Sequence, residues 1–385
     1  MSTGSVARSF ARSLCADTAL ASSSRSRLAV AAGSAPAPRL AAQRTGQACS
    51  CSAVRQSVRN YSSYPSQSPP PQHGAPPPRR KRTIRDLQAS KRKRIPITML
   101  TAHDYPSARF IENAATAVSP SGGKGASSGG SGGIDIALIG DSLAMVACGY
   151  PSTTHLTLDE MLYHCRSVAR GCKTSLLVAD LPFGTYAVSV EEGVRAAVRI
   201  IQEGQMDAVK IEGGEEVVPL IRRLTDVGIP VMGHVGLTPQ RQAALSGYRV
   251  QGKTVSSALK VFTDARAVQD AGAFAVVLEA VPARLAEWVS SRLTAPTVGI
   301  GAGGGCDGQV LVQLDMLGVD SDLGAAGKGP RFLKRFLNLG EVASGAIADY
   351  ADEVRSGEFP REEHTYPISD EAWSGFLEQV EKRKL

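Results

Sequence analysis

Acidic and cationic side chains close several short apolar runs of this chain in a pattern that could do chemistry. Ile139-Gly140-Asp141-Ser142, Ala179-Asp180-Leu181-Pro182, Lys210-Ile211-Glu212-Gly213-Gly214 and Leu278-Glu279 each end such a run. If the runs are neighbouring strands of one sheet, Asp141, Asp180 and Glu212 meet on a common rim. Like charges there raise one another's pKa unless a proton or a cation joins them. A hard divalent ion such as Mg2+ is the economical partner, because it takes oxygen ligands and keeps positions open for water or substrate. Lys210 and Glu212, two apart on a strand, point to the same side, where the ammonium can hold a substrate carboxylate. His103, in Thr101-Ala102-His103-Asp104-Tyr105, and His234, in Gly233-His234-Val235-Gly236-Leu237-Thr238-Pro239, stand alone and are expected to be structural. Met145, Met161 and Met232 are expected to fill core. The glycine-rich turns at 213–214 and 299–305 suit either a phosphate cradle or a close backbone approach.

The elements that must position these groups alternate regularly after residue 95. Short β-branched runs separated by longer amphipathic stretches predict βα units on a parallel sheet. Strands are expected at 97–101, 135–139, 175–179, 208–211, 230–233, 273–278, 297–299 and 310–314, with helices including 158–170, 190–203 and 263–271. Eight parallel strands with intervening helices close most naturally into a (β/α)8 TIM barrel of the α/β class, whose chemistry lies at the C-terminal strand ends. The barrel is expected over 95–366, with a C-terminal tail at 367–385. Ser119–Gly133, SPSGGKGASSGGSGG, interrupts the rhythm as a flexible Gly/Ser-rich insertion on the face opposite the chemistry.

Residues 1–61 have the composition of a disordered leader. Arg recurs at 8, 12, 25, 27, 39, 44, 55 and 59 among Ser and Ala, with Asp17 the single acid. This is the make-up of a mitochondrial transit peptide, cut near Tyr61, and predicts a matrix location. Residues 62–94 form a proline-rich and then basic linker, its RRKR and KRKR runs expected to be solvated. The formal net charge of +7 misleads about partners. Residues 1–94 hold 17 of the 43 Lys and Arg but only two of the 36 acids, so the remainder is net acidic. A body of that balance does not suit nucleic-acid binding. The seven cysteines form no disulfide or zinc pattern in the body, and no apolar run is long enough to span a membrane.

Several separated motifs, in order, resemble the ketopantoate hydroxymethyltransferase family: TAHDY, IGDSLAMV, ADLPFGTY, VKIEGGE, GHVGLTPQ, GYRVQGK, VLEAVP, GIGAGGGCDGQVLV and SGEFPREEH, across about residues 95–366. The resemblance implies transfer of a hydroxymethyl group from the co-substrate 5,10-methylenetetrahydrofolate to 3-methyl-2-oxobutanoate in pantothenate biosynthesis, through an enolate stabilised by Mg2+. It implies Asp141, Asp180 and Glu212 as metal positions, Asp141, Ser142, Asp180 and Lys210 as 2-oxo acid contacts, and Glu279 as the catalytic proton acceptor. It also implies a homo-oligomer, commonly a decamer. The leader and the insertion depart from typical bacterial members and suggest a fungal type. The alternative is a Mg-dependent 2-oxo acid lyase or mutase of the phosphoenolpyruvate mutase/isocitrate lyase type, marked by a cysteine motif such as KKCGH that is absent from this chain.

Overall fold

In the computed structural model, residues 79–116, 133–320 and 329–384 are described. The expected leader, the proline-rich linker up to residue 78 and residues 119–132 of the insertion lie outside them. Eight strands, β1 (Ile97–Thr101), β2 (Ile136–Ile139), β3 (Leu176–Asp180), β4 (Ala208–Glu212), β5 (Val231–Gly236), β6 (Ala275–Glu279), β7 (Thr297–Ile300) and β8 (Gly308–Leu311), close into one barrel in sequence order. Every neighbouring pair is parallel, with β1 also paired to β8. The expected TIM barrel is therefore the observed architecture. Around it stand α1 (Ile84–Lys93), α2 (Tyr105–Ala114), α3 (Leu143–Val146), α4 (Leu158–Gly171), α5 (Val190–Gln202), α6 (Val218–Asp226), α7 (Val255–Asp270), α8 (Ala283–Arg292) and α9 (Gln313–Leu317), followed by α10 (Leu339–Ser356) and α11 (Asp370–Arg383). Among the described residues no helix is long and apolar enough to cross a membrane.

β2 to β6 are buried on both faces almost throughout, whereas β1 and β8 expose Thr98 and Gln309, and the period of two sorts side chains into two cores. Ile97, Met99, Ile136, Leu138, Leu176 and Val178 belong to an inner cluster, whereas Ala137, Ile139, Leu177 and Ala179 pack outward with helical residues such as Met161 and Ile200. Continuing the inner set along each strand leads to Thr101, Asp180, Lys210, Glu212, His234 and Glu279. The barrel thus carries an apolar floor beneath a polar mouth.

The basic stretch before β1 differs from expectation. It is not wholly a solvated linker: residues 84–93 form α1, whose Leu87 is 1% exposed within the inner cluster. Its cations dock on carboxylates that precede strands at the closed end. Lys81 pairs with Asp207 at 2.7 Å, Arg82 with Asp135 at 2.9 Å and Lys91 with Asp307 at 2.6 Å. The same aspartates accept backbone N–H bonds from Leu177, Thr98 and Thr297 on the adjacent strands. A run of positive charge is therefore a complement to the barrel floor.

Element ends differ in instructive ways. α4 and α5 match expectation to within a residue, held by N-caps Thr157 and Ser189. α7 begins at Val255, earlier than the expected 263, because Thr254 caps it by accepting from Ser257 N. Exposed Val255 and Leu259 blur its apolar stripe. β5 runs on to Gly236, so His234 lies inside the strand, and the expected 310–314 strand stops at Leu311 where α9 takes over. The expected C-terminal tail contains α11, capped by Ser369. Between β7 and β8 no helix intervenes. A Cβ at Gly303 would lie 2.5 Å from the Ala283 Cβ of α8, and one at Gly305 equally close to the Glu287 Cβ, so these glycines serve close approach to a helix.

Leu87→Ala should cost about 2–5 kcal/mol, the usual loss for emptying a packed leucine site, while Lys81→Ala, at a partly exposed pair, should cost under about 1 kcal/mol. Urea denaturation of both variants checks this. Equal losses would mean that charge, not the buried leucine, anchors α1.

Candidate active site

All six residues singled out at the strand ends, Asp141, Ser142, Asp180, Lys210, Glu212 and Glu279, line one cavity of about 420 Å³ at the C-terminal mouth. β3 ends in Asp180, β4 supplies Lys210 and Glu212, β6 ends in Glu279, and the turn between β2 and α3 presents Asp141 and Ser142. Leu138, Val277, Ile300 and Val310 form the apolar wall beneath them, and Met145, Tyr248, Phe332 and Leu333 stand farther out.

Three of the carboxylates have one oxygen committed to the scaffold. Asp180 Oδ2 accepts from Asp141 N at 2.9 Å, Asp141 Oδ2 from Gln240 Nε2 at 2.8 Å, and Glu212 Oε2 from Gln240 N at 3.1 Å. Asp180 Oδ1 lies 2.8 Å from Lys210 Nζ in a buried ion pair. Lys210 is the single Lys or Arg among the lining residues, against five carboxylates: Asp141, Asp180, Glu212, Glu279 and Asp315.

Burial and crowding leave their mark on the titrations. Desolvation, then the Asp180 charge, pushes Asp141 up to about 7 against the opposing pull of Lys210 and Gln240. Glu212 is held well above the usual carboxylate range by burial and by Asp141. For Lys210, burial works downward, but Asp180, Glu212 and Asp141 outweigh it and the ammonium is kept. A mouth so rich in buried carboxylate favours any added positive charge.

The oxygen-rich donor set of Asp141, Asp180 and Glu212 fits a hard cation. Among the described residues no three His, Cys, Asp or Glu side chains stand together as a finished metal cage. A hard ion such as Mg2+ binds through one or two carboxylates and fills its octahedron with water and substrate.

His234, expected to be structural, belongs to the site. It is buried between Lys210 Nζ, 3.1 Å from its Nδ1, and Glu279 Oε2, 3.2 Å from its Nε2. An ammonium can only donate, so Nδ1 is the acceptor and Nε2 carries the hydrogen, which bonds the Leu237 carbonyl at 2.8 Å. Glu279 is positioned from behind. Gly236, with φ +95°, brings β5 against it so closely that a Cβ would lie 2.4 Å from the Glu279 carbonyl oxygen, which accepts from Leu237 N. Ala280, immediately after Glu279, occupies the left-handed region at φ 48°. His103 lines no part of the cavity; its carbonyl oxygen meets His164 Nδ1. Sequence reasoning missed Gln240 and Tyr186. The GHVGLTPQ and ADLPFGTY motifs contain both, but a neutral amide and a phenol carry no charge to draw attention.

Residues 81–362 match the family model described as "Ketopantoate hydroxymethyltransferase". An Emericella nidulans protein named 3-methyl-2-oxobutanoate hydroxymethyltransferase is 48% identical over 305 residues, 79% of this chain and 81% of that one. A Nitratidesulfovibrio vulgaris protein of the same name is 47% identical over 78% of this chain and 90% of its own. An Arabidopsis thaliana relative, named 3-methyl-2-oxobutanoate hydroxymethyltransferase 1, mitochondrial, is 43% identical over 85% of this chain and 89% of its own. Among solved structures, a phosphonopyruvate hydrolase complexed with oxalate and Mg++ overlays at a TM-score of 0.44 and 17% identity, covering 78% of this chain and 98% of that one. That overlay is too loose to bear on function.

In metal-free protein the raised Asp141 makes a signed contribution to stability. Its folded pKa of about 7 exceeds the ordinary 3.8, so the folded state holds a proton that the unfolded chain releases, and this stability is present below about pH 4 and lost as pH rises through about 7. Calorimetry in EDTA should show a melting temperature that falls between pH 5 and pH 8, with Asp141→Asn flattening the fall by at least ~3 °C. Parallel profiles for the two proteins would remove Asp141 as its source.

Proposed function

The chain belongs to the ketopantoate hydroxymethyltransferase family and is an enzyme, and from that premise we propose that its barrel mouth transfers a hydroxymethyl group from 5,10-methylenetetrahydrofolate to C3 of 3-methyl-2-oxobutanoate. The observation that carries the proposal is the single cavity in which Asp141, Asp180, Glu212, Lys210 and Glu279 meet over an apolar floor. A small 2-oxo acid needs both halves: a cationic and oxygen-lined end for its two oxygenated carbons, and an apolar end for its branched tail.

Asp141 and Asp180 would hold Mg2+, with Glu212 bonding directly or through water. When bound, the cation supplies Lewis acidity to the keto and carboxylate oxygens of the substrate. Lys210 Nζ and the Ser142 hydroxyl orient the carboxylate, which limits the poses the substrate can adopt. Glu279 accepts the C3 proton as general base, leaving enolate character that attacks the methylene carbon; that carbon exchanges its bonds to the two folate nitrogens for one to C3 and one to a water oxygen, and the nitrogens take up the C3 proton and one proton of the water. The His234 Nε2, bonded to the Leu237 carbonyl, lies 3.2 Å from Glu279 Oε2 and sets its polar edge against that base. Leu138, Val277, Ile300 and Val310 receive the branched carbons, and Met145, Tyr248, Phe332 and Leu333 offer the folate ring an apolar approach.

The same proposal includes a homo-oligomer, commonly a decamer in the family, and a cleaved leader that directs residues 62–385 to the mitochondrial matrix. The mitochondrial name of the Arabidopsis relative supports that address.

The test follows the C3 proton of 3-methyl-2-oxobutanoate by NMR in D2O. Wild-type protein with Mg2+ should exchange it, and should release hydroxymethylated product only when methylenetetrahydrofolate is added. Glu279→Gln should retain Mg2+ binding while slowing exchange by roughly 10²–10⁴-fold, and Asp180→Asn should lose metal-dependent substrate binding. Normal exchange in Glu279→Gln would place the base elsewhere; unaltered Mg2+ affinity in Asp180→Asn would sink its assignment as a ligand.

A further inference from the structure

Gln240 sits in the short 3-10 turn Pro239–Arg241 that follows β5, 5% exposed. No hydrogen-bonding position of its side chain is idle. Nε2 donates to Asp141 Oδ2 at 2.8 Å and to the Leu181 carbonyl at 2.9 Å, while Oε1 accepts from the Tyr186 hydroxyl at 2.6 Å. Its backbone N–H donates to Glu212 Oε2 at 3.1 Å. Turning the amide over would set Oε1 against a carboxylate and a carbonyl, acceptor against acceptor, so the partners dictate one orientation. Tyr186 reinforces it. Its hydroxyl faces Gln240 Oε1 and, at 3.3 Å, the Glu212 carbonyl oxygen, two acceptors that it meets only as a donor.

We propose that Gln240 is the positioning residue of the metal site, with Tyr186 as its lock. From one residue it takes an oxygen of Asp141 through its side chain and an oxygen of Glu212 through its backbone. The two carboxylates thereby stand at a set distance, and one oxygen of each is left for the cation. The hydrogen bonds join four segments: the turn after β2 that bears Asp141, the segment after β3 that bears Leu181 and Tyr186, the end of β4 that bears Glu212, and the turn after β5. Metal-ligating carboxylates need such outer partners to hold their orientation, and losing one typically weakens metal binding 10–100-fold. Gln240 touches neither substrate nor reacting atom on this account. The inference rests on the proposed assignment of Asp141 and Glu212 as metal positions.

Side-chain substitutions spare the backbone bond to Glu212 and so isolate the Asp141 arm. Gln240→Met keeps the length and unbranched shape of the side chain but removes the amide; Tyr186→Phe keeps the ring but removes the lock. Both are made in the full chain, checked for folding by circular dichroism and titrated with Mn2+ while free ion is followed by EPR. Gln240→Met should bind Mn2+ roughly 10–100-fold more weakly, and Tyr186→Phe should shift in the same direction by less. A residue that merely staples loops together would lower the melting temperature and leave the Mn2+ affinity of the folded protein alone. Folded variants with unchanged or tighter Mn2+ binding overturn the inference. If Gln240→Met does not fold, Tyr186→Phe decides the matter by the same criterion. A wild-type chain that takes up no Mn2+ overturns the metal assignment itself, and this inference with it.

Discussion

Lys210 Nζ lies 2.8 Å from Asp180 and 3.1 Å from His234, the one ammonium in a mouth that also holds Asp141, Glu212 and Glu279. Burying carboxylates in this ratio is costly unless protons or cations offset them. The site therefore selects for added positive charge, and the rest of the structure keeps that selection from collapsing. Each of Asp141, Asp180 and Glu212 has one oxygen tied to a rigid N–H donor, which keeps the carboxylates from relaxing away from one another.

Such a concentration of charge needs a stiff frame. The closed barrel supplies it by committing every strand to two neighbours and both faces to packing. The inner positions are apolar at the N-terminal end, where Leu87 of α1 joins the floor. At the other end the same inner positions carry the chemistry. The two ends are also matched electrostatically in opposite ways: at the floor, Asp135, Asp207 and Asp307 are met by Arg82, Lys81 and Lys91, whereas at the mouth carboxylates outnumber cations. Balanced charge belongs to stability and unbalanced charge to function.

Neutral polar groups complete the arrangement. His234 connects Lys210 to Glu279, and Gln240 connects Asp141 to Glu212, so the charged residues are joined through side chains whose own partners dictate their orientation. Gly236 and Ala280 then shape the backbone around Glu279, one by close approach and the other by a left-handed conformation. Strained backbone beside a reactive group persists only where its surroundings over-determine it. Here β5, β6 and β7 do so, since the Ala280 N–H bonds the Ile300 carbonyl.

The sequence by itself determined the barrel and the charged members of the site, because eight β-branched runs at βα spacing admit few other folds and because Asp141, Asp180, Lys210, Glu212 and Glu279 end those runs. Period two even placed Lys210 and Glu212 on one side. It could not say which side was the interior, since β2 to β6, buried on both faces, show no polar alternation over most of their length; closure of the barrel decided that. Nor could it assign a use to the basic stretch before β1, whose complement is a set of aspartates scattered from 135 to 307. His234, Gln240 and Tyr186 were open to the same difficulty. Their significance lies wholly in partners between 24 and 99 residues away in the chain, and only the tertiary structure brings those partners within hydrogen-bonding distance.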